Sequence, residues 1–417
     1  MQLNETTQEY EIGGVSVLEL THQFGTPLFV YDSATIVSQY QKMTSALSGV
    51  PRLKINYACK ALTNLTILQL LHSLGAGLDA VSYQEIRLGL KAGFEPNDII
   101  YTPNSVSIEE LEAAVALGVK VNIDNIETLE YMGVHHPKTP ICIRVNPHIM
   151  AGGNANISVG HIDSKFGISI HQMPLVKRLV ETLHINIEGV HMHTGSDILD
   201  VDVFSHAATL LFDVAKQFDN LQYIDFGSGF KVQYKPDDIE TDMEQFGEMM
   251  TTRFNDFCEE TGQELTLMFE PGKYLVSESG HFLARTNLIK QTTSTVFAGL
   301  DTGFNHLIRP MFYGSHHTIK NVSNPAGKPK IYTVVGYICE TDTFGWNRRI
   351  NQIKEGDILC FLNAGAYCFS MASNYNSRYR PAEVLVHQGK AHLIREREVF
   401  EDLVRNQPLP SLNFGQN

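Results

Sequence analysis

From residue 52 onward, short apolar runs alternate with amphipathic stretches eight times. The runs cover 53–59, 77–82, 98–103, 119–124, 140–146, 186–193, 222–227 and 265–270. Between them apolar positions recur at helical spacing, as in Tyr83 to Ala92, Ser107 to Leu117 and Phe204 to Phe218. Ser107-Ile108-Glu109-Glu110 has capping-box spacing and marks one helix start. Strands alternating with helices, without hairpin signals, call for a parallel sheet. Eight such units in about 220 residues fit a (β/α)8 TIM barrel. An open doubly wound sheet is the rival topology, but no strand–G-x-G-x-x-G–helix fingerprint supports it. Ahead of the rhythm, Pro27-Leu28-Phe29-Val30-Tyr31 reads as a strand, and Asp32 or Ser33 as the cap of a helix to about Leu47.

After Gly272 the texture changes. Phe282 to Arg285, Thr295 to Ala298, Ile331 to Val335, Asp357 to Cys360 and Glu383 to Val386 all read as strands, separated by turn clusters. The expected fold class is therefore α/β: a barrel over 30–275, with 1–29 and 276–417 forming a second, β-rich domain of barrel or sandwich type.

The composition excludes some functions. The chain has 417 residues, enough for two domains, with 43% hydrophobic and 19% charged residues. Its net charge is −14 and no basic block exceeds Arg348-Arg349, which argues against nucleic acid or an anionic membrane as partner. No apolar run approaches membrane-spanning length. Six cysteines lie far apart without a C-x-x-C pair, a spacing that supports neither a zinc site nor a disulfide framework and fits a reducing cytoplasm.

The chemistry gathers at the ends of the runs. These carry Lys60, Asp79 with Ser82, Asn104, Asn125, Arg144 with Asn146, His193 with Ser196, Gly227-Ser228-Gly229, and Glu270 with Gly272. A barrel places its active site at this C-terminal face. Lys60, in Tyr57-Ala58-Cys59-Lys60-Ala61, stands between a strand and a helix. A partly desolvated amine there is expected to have a lowered pKa and to form a Schiff base. Such a base with pyridoxal phosphate needs a group at the ring nitrogen, a surface for the ring and a seat for the phosphate. Glu270 suits the first and His193 the second. His191 and His193 face the same way in a strand and would also suit a metal pair, but no third or fourth ligand has supporting spacing, so no metal is expected. The Gly227-Ser228-Gly229 turn, with Pro271-Gly272 on the next strand, suits a phosphate, because barrel phosphate seats favour the loops after strands seven and eight.

With these residues in view, the chain resembles the alanine-racemase-type, fold type III pyridoxal phosphate decarboxylases. The likeness rests on Tyr57 to Ala61, His191-Met192-His193-Thr194-Gly195-Ser196, Glu270-Pro271-Gly272 and Asn363-Ala364-Gly365-Ala366-Tyr367, and spans about residues 27 to 400. Leu307 to Tyr313, Cys339-Glu340 and Met371 to Asn376 resemble the branch acting on meso-2,6-diaminopimelate. The resemblance implies that Lys60 carries the cofactor, His193 stacks on it and Glu270 pairs with its nitrogen. Asp79, Ser196, Gly227, Ser228, Gly229, Gly272 and Tyr367 complete the cofactor site. Arg309 and Tyr313, with Lys273, would hold the far carboxylate of the substrate, Glu340 its far ammonium, and Tyr367 would touch both molecules. Cys339 would protonate the carbanion. The implied reaction gives L-lysine and CO2, the last step of lysine biosynthesis, in a homodimer whose Cys339 and Glu340 enter the other subunit's site.

Three positions depart from that family. Lys273 replaces the usual arginine, keeping the charge but losing the two-pronged grip on a carboxylate. Gly227-Ser228-Gly229 replaces three glycines, and Thr341-Asp342-Thr343 follows Cys339-Glu340 in place of Ser-Gly-Asp. Lys273 leaves open a relative acting on another carboxylated amine, of carboxynorspermidine, siderophore or carrier-bound type. A non-catalytic cofactor-binding partner of an active decarboxylase is the reading from another class, and intact Lys60, Cys339 and Tyr367 speak against it.

Overall fold

The computed structural model describes residues 1–149, 164–193, 195, 201–235 and 237–412, with the side chains of 201 and 202 left aside. The chain forms two compact units. One comprises 33–279 with 365–370, the other 1–32, 280–364 and 371–412.

In the first unit each apolar run contains one strand. These are β1 (Leu53–Ala58), β2 (Gly77–Ala80), β3 (Ile99–Tyr101), β4 (Lys120–Ile123), β5 (Ile141–Asn146), β6 (Ile187–Met192), β7 (Tyr223–Asp225) and β8 (Thr266–Phe269). Each pairs in parallel with the next, and β8 closes on β1 through Leu267↔Leu53, Met268↔Lys54 and Phe269↔Ile55. The result is a closed eight-stranded parallel barrel, as the alternation of runs and helices predicts.

Among the described residues, eight helices of two turns or more accompany it: α1 (Ser33–Ala46), α2 (Leu65–Ser73), α3 (Tyr83–Ala92), α4 (Ile108–Ala116), α5 (Ile126–His135), α6 (Met173–Leu183), α7 (Val201–Ala215) and α8 (Met243–Thr261). Seven of them link consecutive strands. The eighth, α1, precedes β1 and packs beside α8. There a Cβ on Gly247 would meet the Ala46 carbonyl oxygen at 2.2 Å, so only glycine permits the approach. Short polar side chains begin the helices. Asn64, Ser82, Ser107, Asn125 and Asp242 each accept backbone N–H groups of the first turn. Two of the polar strand-end residues, Ser82 and Asn125, therefore serve as helix caps.

The second unit is a β-rich sheet unit. Its main path runs Thr343–Asn351, Pro329–Val335, Val296–Leu300, Gly280–Gln291, Leu28–Asp32, Ala382–His387, Lys390–Arg395, and Ile358–Phe361 pairs with both Gly280–Gln291 and Ile319–Asn321. The sequence pattern misses Ile319–Asn321, Thr343–Asn351 and Lys390–Arg395. Thr343–Asn351 carries polar residues on most positions and Lys390–Arg395 has no buried residue, so neither shows an apolar run. The core gathers Val17, Leu20, Leu28, Val30, Leu283, Cys360 and Val384. Among the described residues no helix is long and apolar enough to cross a membrane.

His306 sits in the second unit as a neutral ring. Nδ1 accepts from the Thr302 hydroxyl and Nε2 donates to the Tyr379 carbonyl, both at 2.9 Å. Burial pushes its pKa down from 6.5 to about 4. A base whose folded pKa is depressed stabilises the fold fully above its unfolded pKa and progressively less as pH falls towards the folded one. His306 alone should cost about 3 kcal/mol of stability between pH 6.5 and 4. Urea unfolding across that range should show the loss, and H306Q should flatten it.

Candidate active site

Lys60 occupies a one-turn 3-10 helix, Cys59–Ala61, directly after β1. Its Nζ lies 3.4 Å from Asp79 Oδ2 at the end of β2. The lysine side chain is 41% exposed and the aspartate buried, so one faces the cleft while the other backs it. The expected depression of the lysine pKa is overturned. Burial does pull it down, but the charges of Asp79, Tyr367 and Glu270 outweigh it and raise Lys60 above its ordinary value. Asp79 itself is raised to about 7 by burial and the nearby Glu270, against the pull of Lys60.

Glu270 follows β8, beside β1, and is buried. Its Oε2 accepts from His191 Nε2 at 3.0 Å. Burial alone would raise this carboxyl, yet the His191 contact and the Lys60 charge hold it below the usual carboxylate range. His191 and His193 thus have separate partners. His193 sits just past β6, and its Nδ1 accepts the Ser228 N–H at 3.1 Å, which fixes the ring against the turn after β7. Burial, then Arg144 and Lys60, keep it well below the ordinary histidine pKa, so the ring is neutral. Ser196 lies outside the described residues.

The glycine turn is gripped from both sides. Asp225 Oδ1 accepts the Gly227 N–H at 2.8 Å, and the Glu270 N–H donates to the Gly227 carbonyl at 2.6 Å. Gly227 has φ +62° and Gly229 φ +142°, conformations that favour glycine. The N–H groups of Gly227 and Ser228 are therefore already committed within the protein. What the turn offers a ligand is a floor without bulky side chains at Gly229 and, across from it, Gly272.

Tyr367 reaches the same cleft because 365–370 belongs to the barrel unit. Its N–H donates to the Ala61 carbonyl at 2.8 Å, one residue past Lys60, and Ser370 Oγ donates to the same oxygen at 3.1 Å. A side chain on Gly365 would collide with the Val276 carbonyl, so glycine is required where the segment docks. Lys60, His193, Ser228, Gly229, Phe230, Glu270, Gly272, Lys273 and Tyr367 line a cleft of about 390 Å³, its mouth included.

The remaining expected site residues lie on the β-rich unit, in two groups. Arg309 and Tyr313 bracket the one-turn helix Arg309–Tyr313, with the guanidinium carbon 5.7 Å from the centre of the tyrosine ring. Cys339 and Glu340 occupy the exposed bend before Thr343–Asn351. The Tyr375 hydroxyl donates to Glu340, and Asn376 Nδ2 approaches Cys339 Sγ at 3.6 Å. Asp342, one of the departures, anchors this bend by accepting the N–H of Phe304 at 2.6 Å and of Ile338 at 2.8 Å.

Two residues at this site have no role assigned from the sequence: Asp225, and Arg144, which the sequence marks only as one of the polar strand-end residues. Both are buried charged groups inside barrel strands. A charge at the centre of an apolar run was the available signal.

Comparisons with known proteins place the chain in a family. Residues 33–277 match the family model described as the pyridoxal-dependent decarboxylase, pyridoxal binding domain. A diaminopimelate decarboxylase of Methanothermobacter thermautotrophicus is 41% identical, over 96% of each chain. The crystal structure of diaminopimelate decarboxylase from Helicobacter pylori complexed with L-lysine matches at TM-score 0.86 and 31% identity, covering 93% of this chain and 98% of that one. The enzyme of that name from M. jannaschii, in co-complex with L-lysine, matches at 0.89 and 27%, covering 98% of both. The chain is thus a pyridoxal-phosphate-dependent carboxy-lyase. Within that class, the chain belongs to the diaminopimelate decarboxylase family.

Replacing Lys60 with alanine should remove the visible absorbance of the lysine-bound cofactor and lower turnover on the order of a thousandfold or more, read by spectrum and CO2 release on one preparation.

Proposed function

We propose that the chain releases CO2 from the D-centre of meso-2,6-diaminopimelate and yields L-lysine, using the cleft around Lys60. One observation carries the reading: a lysine amine and a buried, ionised Glu270 stand just past the ends of neighbouring strands, in one glycine-floored cleft. Pyridoxal phosphate fits these residues. Glu270 Oε1 is buried without a hydrogen-bond partner and suits a ring N–H, while the bare floor at Gly229 and Gly272 leaves room for a phosphate. When bound, the cofactor supplies an electron sink for the pair left by departing CO2.

The chain's own residues do the rest. Lys60 is the amine that would hold the cofactor, and Asp79, 3.4 Å from its Nζ, fixes that amine at the back of the cleft. Glu270, oriented by His191, holds a proton at the ring nitrogen. His193, neutral and fixed by Ser228, offers its face to the ring. Arg309, with Tyr313 and Lys273, meets the far carboxylate, Glu340 the far ammonium, and the Cys339 thiol gives a proton to the carbon that lost CO2. A substrate with two carboxylates and two amines leaves one of each sign to be met at its far end, and these residues supply both signs. L-lysine, the product of this reaction, is the molecule bound in the Helicobacter pylori relative.

We assign the working form as a cytoplasmic homodimer with shared sites. Six free cysteines suit a reducing compartment. Phe312, Ile331 and Trp346 on the β-rich unit are 63%, 53% and 65% exposed, a cost that a partner subunit relieves.

Purified protein with pyridoxal phosphate, offered meso-diaminopimelate, ornithine, arginine and lysine in parallel, should release CO2 from the first alone, with lysine appearing in step. Release from another amine would move the assignment to a related carboxylated substrate and make Lys273 the residue to examine. Chains carrying Lys60→Ala and Cys339→Ala, each inactive alone, should regain on mixing up to about a quarter of wild-type activity per site by random pairing. No recovery would count against shared sites.

A further inference from the structure

Arg144, His191 and Asp225 lie in register on β5, β6 and β7, forming one buried polar row across the barrel. The row faces Glu270 at the end of β8. One ligand atom each of His191, Asp225 and Glu270 falls within 4.8 Å of the other two. His191 donates from Nε2 to Glu270, while its Nδ1 is buried without a hydrogen-bond partner. A buried ring with only one bonded nitrogen is the neutral tautomer, so no imidazolium charge balances the acids.

The charges nearby do not cover three carboxylates. Asp79, Asp225 and Glu270 are all buried, and among the described residues the cations facing them are Lys60 and Arg144. Lys60 is bonded to Asp79, and His191 to Glu270. Asp225 has neither kind of partner. Its Oδ1 is occupied by the Gly227 N–H, and its Oδ2 is buried without a partner, as is Glu270 Oε1 close by. Two buried carboxyl groups so placed share a proton rather than both ionising.

We propose that Asp225 is a positioning residue acting as a neutral carboxylic acid, with Oδ2–H donating to one lone pair of Glu270 Oε1, whose other lone pair is left for the ring N–H, and Oδ1 accepting from Gly227 N–H. This ties the carboxylate that meets the ring nitrogen to the turn at the phosphate end of the cleft, and it rests on the cofactor placement given above. The Glu270 N–H to Gly227 carbonyl bond closes the same loop through the backbone. In support, burial and the neighbouring Glu270 raise Asp225 well above the ordinary carboxylate value, while Glu270 itself is lowered. Besides His191, the other charged or titratable groups facing the pair among the described residues are Asp79, Lys60, Arg144, His193, Cys142 and Tyr223.

An asparagine reproduces both bonds, its amide N–H2 donating to Glu270 and its carbonyl accepting from Gly227. Asp225→Asn should bind pyridoxal phosphate within about threefold of the wild-type dissociation constant, whereas Asp225→Ala should weaken it on the order of ten- to a hundredfold. The bound cofactor's absorbance maximum should shift in the alanine variant only. Infrared difference spectra of cofactor-free wild-type protein at mildly alkaline pH, above the range to which Asp79 is raised, should show the carbonyl stretch of a protonated carboxylic acid. That band should vanish in D225N and persist in D79N. Absence of the band, or an asparagine variant as impaired as alanine, would overturn the proposal, and the band decides even where D225A fails to fold. Neither the band nor the binding constants need turnover, so failure of the decarboxylation reading would leave them unchanged.

Discussion

A carboxylate that must stay ionised in the dry interior of a barrel sets the terms for the site around Glu270. Burial penalises a charged group heavily unless hydrogen bonds and opposite charges replace the lost water. The barrel supplies one of each: the His191 hydrogen bond from β6 and the Lys60 charge from past β1. A closed parallel barrel suits this task. Every strand ends on the same face, so residues far apart in sequence converge on one point without long loops.

The same constraint explains the grip on the turn after β7. Its glycine carbonyl takes the Glu270 N–H and its glycine N–H is taken by Asp225. The backbone that floors one end of the cleft is thereby held by the residues that govern the other end. Ser228 extends the linkage to the His193 ring. Tyr367 enters by another route, through the backbone bond to Ala61 beside Lys60. A site built this way positions its groups through main-chain geometry, which is stiffer than side-chain packing alone.

Much of the barrel was legible in the sequence. Each apolar run contains its strand, because a parallel strand buried on both faces must be apolar along its length. Helix starts were legible where Ser107 precedes an apolar periodicity. Strands such as Lys390–Arg395 were not, because a strand without a buried face carries no hydrophobic signature. Lys60, Glu270 and the glycine turn could be singled out by residue type at strand ends. The direction of the Lys60 shift could not, since the sequence shows a lysine in an apolar setting but not the aspartate placed against it.

The sequence by itself determined the alternation of strands and helices, the second β-rich segment and the residue types at the mouth of the barrel. These depend on local periodicity and on chemistry within a few residues. Only the tertiary structure decided that His191 serves Glu270 instead of pairing with His193, that Asp79 raises Lys60, and that 365–370 returns to the barrel unit with Tyr367. Those outcomes depend on which side chains stand opposite one another across strands dozens to hundreds of residues apart. Electrostatic and hydrogen-bond energies follow distance in space, and closure of the barrel sets that distance.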